Sequence, residues 1–180
     1  HIISSTGTSA LQLLCYNSMS EEALTILDQN VDNSINSVSN LGYTPLSFAC
    51  GNKLNQVALK LLAHPKISNI NQETTEHNCK TPFGLSCNEN MLNIAMIILP
   101  KLLASDLYKV YNKKTYLMLA INNCVHKLAN AILNTSFDCN IEISDDNNKT
   151  AFDYACDNNN NELYMKMIDT YSIEKLTKNY

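Results

Sequence analysis

The chain has 180 residues, 45% of them hydrophobic and 17% charged, with a formal net charge of −4. That length suits one domain with a sizeable core, and the hydrophobic share excludes wholesale disorder. The mild acidity argues against a nucleic-acid partner, which calls for a basic stripe. No apolar run reaches the ~18–20 residues of a membrane span, so no membrane insertion is expected. The best run, Ile94 to Leu103, is broken by Pro100 and Lys101. The chain opens at His1 with no secretory pattern and reads as a piece of a longer protein. Asparagine is abundant, with 26 copies and runs at 147–148 and 158–161, which predicts many short turns.

Five segments align along the chain: SALQLLC from Ser9, TPLSFAC from Thr44, TPFGLSC from Thr81, TYLMLAI from Thr115 and TAFDYAC from Thr150. Their starts are 35, 37, 34 and 35 positions apart, so the chain is an internal repeat. Each start carries a hydroxyl that can cap a helix, and Pro45 and Pro82 stand at the first helical position. The rest of each segment is apolar nearly all round, so these short helices must be covered on several sides. A second helix is predicted at constant offset, with apolar faces at Ala23, Ile26, Leu27; Val57, Ala58, Leu61, Leu62; Ile94, Ala95, Ile98, Leu99; Leu128, Ala129, Ile132, Leu133; and Leu163, Tyr164, Met167, Ile168. Longer polar loops between units carry one apolar anchor each at Ile35, Ile70 and Ile141. Helix, turn, helix and extended loop form a unit that cannot bury both faces alone, so units must stack.

The T-P-L motif at Thr44 to Leu46, with Gly42 before it, resembles the ankyrin repeat signature, as does Phe137-Asp138-Cys139-Asn140 at a unit's end. The resemblance covers about residues 5–170. It implies an all-α solenoid of stacked helix-turn-helix units joined by extended or hairpin loops, in one domain over 1–180. Repeats start near 5, 40, 77, 111 and 146, and 170–180 is a C-terminal cap or the start of a further element. Two departures stand out. The family's histidine is replaced by Gln12, Ser47, Gly84, Met118 and Asp153, which removes its bond to the Thr hydroxyl. The glycine between helices is replaced by Ser18, Lys53, Asn90, Cys124 and Asn159, of which only the Asn residues adopt positive φ cheaply.

Of seven cysteines, Cys15, Cys50, Cys87 and Cys156 share one repeat position, a small helical slot expected to bury a free thiol. Stacked helices lie ~8–10 Å apart, too far for neighbouring equivalents to pair as disulfides. Cys79, Cys124 and Cys139 show no CxxC spacing, and His77 near Cys79 is one weak pair, so no metal site is expected. His1, His64 and His126 read as solvated side chains. The sequons at Asn134 and Asn148 read as accidents of composition, because unpaired cysteines indicate a reducing, cytoplasmic compartment, or the host cytoplasm for an effector. No nucleophile elbow, phosphate loop or paired-acid motif occurs. No catalysis and no cofactor are therefore expected.

The resemblance implies a protein–protein interaction scaffold, a monomer recognising a protein or peptide through loop tips and first helices. Mapped onto this chain, that surface comprises Tyr16, Asn17, Leu41, Tyr43, Asn52, His77, Lys80, Glu89, Tyr111, Lys114, Asn123, Asp146, Lys149 and Asp157. Tyr16, Tyr43 and Tyr111 are of the hot-spot type. Lys80, Lys114 and Lys149 each precede a cap, and stacking would align them as a basic edge for a partner with an acidic segment. The alternative is a targeting or regulatory module of a larger enzyme or secreted effector whose catalytic domain lies elsewhere.

Overall fold

The computed structural model describes residues 7–29, 34–76, 80–107, 109–135 and 141–178. The chain is mostly helical, with eleven α-helices and one two-stranded ribbon among the described residues. It divides into two compact units, residues 1–98 and 99–180. The first holds α1 (Ala10–Tyr16), α2 (Ser20–Asp28), α3 (Pro45–Gly51), α4 (Asn55–Ala63), α5 (Pro82–Asn88) and α6 (Leu92–Ile98). The second holds a 3-10 turn (Leu99–Lys101), α7 (Ala104–Leu107), β1 (Val110–Tyr111), β2 (Lys114–Thr115), α8 (Tyr116–Asn122), α9 (His126–Thr135), α10 (Ala151–Asp157) and α11 (Asn161–Lys178).

Ser9, Thr44, Thr81, Thr115 and Thr150 are the N-caps of α1, α3, α5, α8 and α10, each side-chain oxygen accepting the N–H three residues on. Each such cap is worth about 0.5–2 kcal/mol. The expected loss of the hydroxyl bond is corrected at two of the five caps. Ser47 Oγ lies 2.9 Å from Thr44 Oγ1, and Thr150 donates to Asp153 Oδ2 at 2.7 Å. Gln12 accepts the Ser9 N–H at 2.7 Å, and even Met118 offers its sulfur to the Thr115 N–H at 3.4 Å. Four of the five replacement side chains thus close a reciprocal box at the helix start. Gly84, which has no side chain, is the exception among the five.

The five first helices also end alike. Ser18, Lys53, Asn90, Cys124 and Asn159 all have φ between 52° and 59°. Each donates its N–H three residues back, and the next residue donates five back, as Met19 does to Leu14 and Leu54 to Ala49. This is the Schellman arrangement, normally built around glycine. Ser18, Lys53 and Cys124 adopt it despite their Cβ atoms, at about 1–2 kcal/mol each.

Within the first unit α1 packs on α3 and α3 on α5, while α2 packs on α4 and α4 on α6. Within the second, α8 packs on α10 and α9 on α11. Leu11, Cys15, Leu46, Ala49, Cys50, Phe83 and Cys87 fill the core of the first unit, and Tyr116, Leu117, Met118, Ile121, Leu128 and Ala151 that of the second. Ile35 and Ile141 are buried as expected, whereas Ile70 is only half-buried. Gly42 has φ 83°, and a Cβ there would meet the Glu73 carbonyl and the Thr74 Cα at 2.9 Å, so the close loop crossing requires glycine.

Cys15, Cys50 and Cys87 are buried and form no disulfide, but Cys156 is exposed, which corrects the expectation for that residue. Cys15 on α1 is covered by α3, and Cys50 on α3 by α5; α10 packs on α8 and α11, with no later first helix against it among the described residues. Burial alone pushes the Cys15 thiol up to about 12, and burial is the main cause of the upward shifts at Cys50 and Cys87. Cys79 and Cys139 lie outside the described residues.

This geometry sets two expected outcomes. Lys53→Gly removes the left-handed penalty, partly offset by the greater freedom of glycine when unfolded, and should raise the stability of the first unit by about 0.5–1 kcal/mol in urea titration. In native protein under reductant-free conditions, Cys124 and Cys156 should react with a thiol reagent well before Cys15, Cys50 and Cys87, as peptide mapping of the labelled chain would read.

Candidate functional site

Three of the first helices follow a segment whose first residue donates its N–H to the carbonyl just before the cap: Ser39 to Tyr43, Thr74 to Lys80 and Asp145 to Lys149, each at 2.9 Å. Side chains of the same three residues accept an N–H in return, from Tyr43, Lys80 and Lys149, at 3.0–3.1 Å. In the fourth repeat the turn is the β1–β2 ribbon, with Asn112 and Lys113 both at positive φ, the pattern of a type I′ hairpin. These turns fix where the residues before each cap emerge.

In the first unit they place an aromatic cluster. The Tyr43 ring stacks on Phe48 at 4.8 Å and 12°, and Tyr16 meets Phe48 edge-on at 5.5 Å and 74°. Tyr43 Oη donates to Glu76 Oε2 at 2.7 Å, and Lys80 Nζ donates to Tyr43 Oη at 3.2 Å while pairing with Glu76 at 3.3 Å. Burial and the Glu76 hydrogen bond push the Tyr43 phenol up. The bond from Tyr43 is the first cause holding Glu76 below its usual range, and the bond to Tyr43 is the first raising Lys80. Tyr43 is thereby oriented by a charged pair, while Tyr16 remains 63% exposed.

In the second unit the corresponding turn is built on Asp145. Its buried carboxylate accepts from Tyr154 Oη at 2.7 Å, the Asn147 N–H at 2.8 Å and the Lys149 N–H at 3.0 Å. These bonds, Tyr154 first, hold its pKa below the ordinary carboxylate range. Lys114 Nζ stands 5.0 Å from the Tyr154 ring centroid and Lys149 Nζ 5.9 Å from it. Lys149 is itself paired with Asp157 at 2.6 Å, and Lys113 with Asp146 at 2.8 Å.

The remaining expected residues divide by location. Asn52 reaches back from the end of α3 to donate to the Cys15 and Tyr16 carbonyls at 2.9 and 3.0 Å. Asn17 donates to the Leu13 carbonyl within its own turn, and Glu89 pairs with Lys53 at 3.1 Å. Leu41 is exposed beside the loop it contacts through its carbonyl, and Asn123 caps α8 half-buried. Tyr111 is only 5% exposed. Its ring turns inward from the ribbon, so it does not offer the open face expected of a hot spot. His77 lies outside the described residues. The structure thus joins Tyr16, Tyr43 and Lys80 in one cluster, and Lys114, Lys149 and Asp157 around Tyr154.

Phe48, Glu76, Asp145 and Tyr154 were not singled out from the sequence. Phe48 and Tyr154 had a readable signal, for the residue four beyond each cap is Leu13, Phe48, Leu85, Leu119 or Tyr154, always large and apolar. Among the described residues no group of three or more His, Cys, Asp or Glu is placed to hold a metal ion. No helix is long and apolar enough to cross a membrane, among the described residues. No family model matches the chain, and no curated protein matches it.

Because the folded-state pKa of Asp145 is depressed, its bonds stabilise the second unit above the unfolded value of about 4 and are lost as pH falls through the folded value. Asp145→Asn should lower stability near neutrality and flatten the loss as pH falls below about 5, read as denaturation midpoints at several pH values.

Proposed function

We propose that this chain is built of five degenerate ankyrin-like repeats and acts as a protein–protein interaction scaffold. The period, the five capped first helices and the paired second helices support the repeat assignment. The helix-on-helix packing inside each unit is the kind such repeats require. The binding reading rests mainly on the Tyr16–Phe48–Tyr43 cluster. It combines an exposed aromatic face with a second tyrosine whose orientation is fixed by Glu76 and Lys80, the composition that concentrates binding energy in interfaces. The proposal assigns no chemistry and no cofactor to the chain. It places the partner, a protein or peptide, on the surface formed by first helices and the turns before them.

The lysines bear on what that partner looks like. Lys80 and Lys149 are already neutralised by Glu76 and Asp157, so they offer an acidic segment less than their sequence positions suggest. Lys114 stands over Tyr154 without a carboxylate within ion-pair distance among the described residues. The aromatic cluster therefore carries more of this proposal than the basic edge does.

Panning a random peptide display library against the immobilised chain tests it. Enriched peptides should bind the wild type and lose roughly tenfold or more in affinity with Tyr16→Ala or Tyr43→Ala. The Tyr16→Ala thermal midpoint should change little, because that side chain is largely exposed. No enrichment, or peptides indifferent to both substitutions, would remove this surface as the site.

A further inference from the structure

The repeats can be compared position by position, and the first departs from the other four on one side. The residue after each left-handed turn is Met19, Leu54, Met91, Val125 or Asn160. Leu54, Met91 and Val125 are buried and Asn160 is half-buried, whereas Met19 is 41% exposed. Four beyond the caps, Leu85, Leu119 and Tyr154 are buried and Phe48 is half-buried, whereas Leu13 is 40% exposed. Four beyond the left-handed residue, Val57, Ile94, Leu128 and Leu163 are all buried, and the first repeat has exposed Glu22 in their place. Leu13, Tyr16 and Met19 lie within one turn closed by the Asn17 N–H to the Leu13 carbonyl and the Met19 N–H to the Leu14 carbonyl. Glu22 comes one helical turn later.

The segment that carries this apolar turn supplies charge of one sign. Residues 1–52 contain no Lys or Arg, and the first basic residue is Lys53. Glu21 and Glu22 make no ion pair among the described residues. Their place in the first turn of α2, which has no side-chain cap at Met19, accounts for their favourable interaction with that helix end. It does not account for three exposed large apolar residues beside them.

We propose that the Leu13–Tyr16–Met19 turn, flanked by Glu21 and Glu22, docks a basic amphipathic segment of a partner protein. The inference rests on the scaffold reading above and names the chemistry of one partner segment. Lys and Arg suit the site because their aliphatic stems lie on Leu13 and Met19 while the charged heads reach Glu21 and Glu22. An Arg can also lie over the exposed Tyr16 ring. Such a contact is driven by apolar burial and steered by charge, so it weakens with salt without vanishing.

The test is fluorescence anisotropy on the full chain with two labelled helical probes of one amphipathic pattern, one of Leu and Lys, the other of Leu and Glu. The Leu/Lys probe should bind and the Leu/Glu probe should not. Glu22→Lys, and independently Met19→Ser, should weaken binding roughly tenfold. Glu162→Lys, which removes an exposed acid from the first turn of α11, should leave it nearly unchanged. Glu22→Gln, checked for fold by circular dichroism, gives the same comparison with less perturbation. Equal losses at Glu22 and Glu162 would reduce the binding to general acidity and overturn the proposal, as would tighter binding of the Leu/Glu probe. Self-association abolished by Met19→Ser would assign the turn to a second copy instead. Display-selected peptides that still depend on Tyr43 while these probes fail would leave the scaffold standing without this site.

Discussion

A seven-residue helix has too few internal hydrogen bonds to persist in water, and all five first helices of this chain are of that length. The hydroxyl at each cap and the left-handed residue at each end are therefore what everything else depends on. Together they satisfy backbone groups that so short a helix leaves open at both ends. Only with both ends closed can the apolar faces of α1, α3 and α5, or of α8 and α10, be presented at constant spacing to the helices beside them. The aromatic cluster is then a matter of geometry, because the turn that delivers Thr44 to its cap also delivers Tyr43 onto Phe48.

Asparagine does much of the joining. Asn52 and Asn158 occupy the same position at the ends of α3 and α10, and each donates to a carbonyl at the end of the preceding first helix. Asn36 receives the Ser68 N–H and donates to the Lys66 carbonyl, tying one long loop to the next. An amide side chain carries donor and acceptor together, so it can bridge backbone segments that cannot pair as strands. Gln12 works in the opposite direction along the chain, donating to the Tyr43 carbonyl at 2.6 Å. Neighbouring repeats in the first unit are thus bound by polar rungs from both sides of the boundary.

The periodic features were legible because they are local. Caps, proline positions and second-helix faces depend on residues within one turn of each other, and the structure places all five caps at the expected residues. Features that depend on what lies next door were not legible. Cys156 matches Cys15 and Cys50 letter for letter, yet its burial depends on a later helix rather than on its own segment. Tyr111 reads as a surface tyrosine until the ribbon turns it inward. Glu76 and Asp145 sit in loops with no period of their own, and only their distances to Tyr43 and Tyr154 reveal them. The left-handed serine, lysine and cysteine show tertiary packing overriding a local preference that the sequence states plainly.

The three sequestered thiols carry a consequence for the life of the folded chain. Protonated and enclosed, they are poor nucleophiles, and an oxidant in solution meets them only when a helix pair opens. Their slots are closed to solvent and close-packed like any interior, so a thiol capped by glutathione or carried to sulfinic acid could not be packed again without displacing its neighbours. Under oxidising stress, transient opening would become a one-way step. The persistence of this protein would then be set by how often it opens, and its stability margin at equilibrium would matter far less.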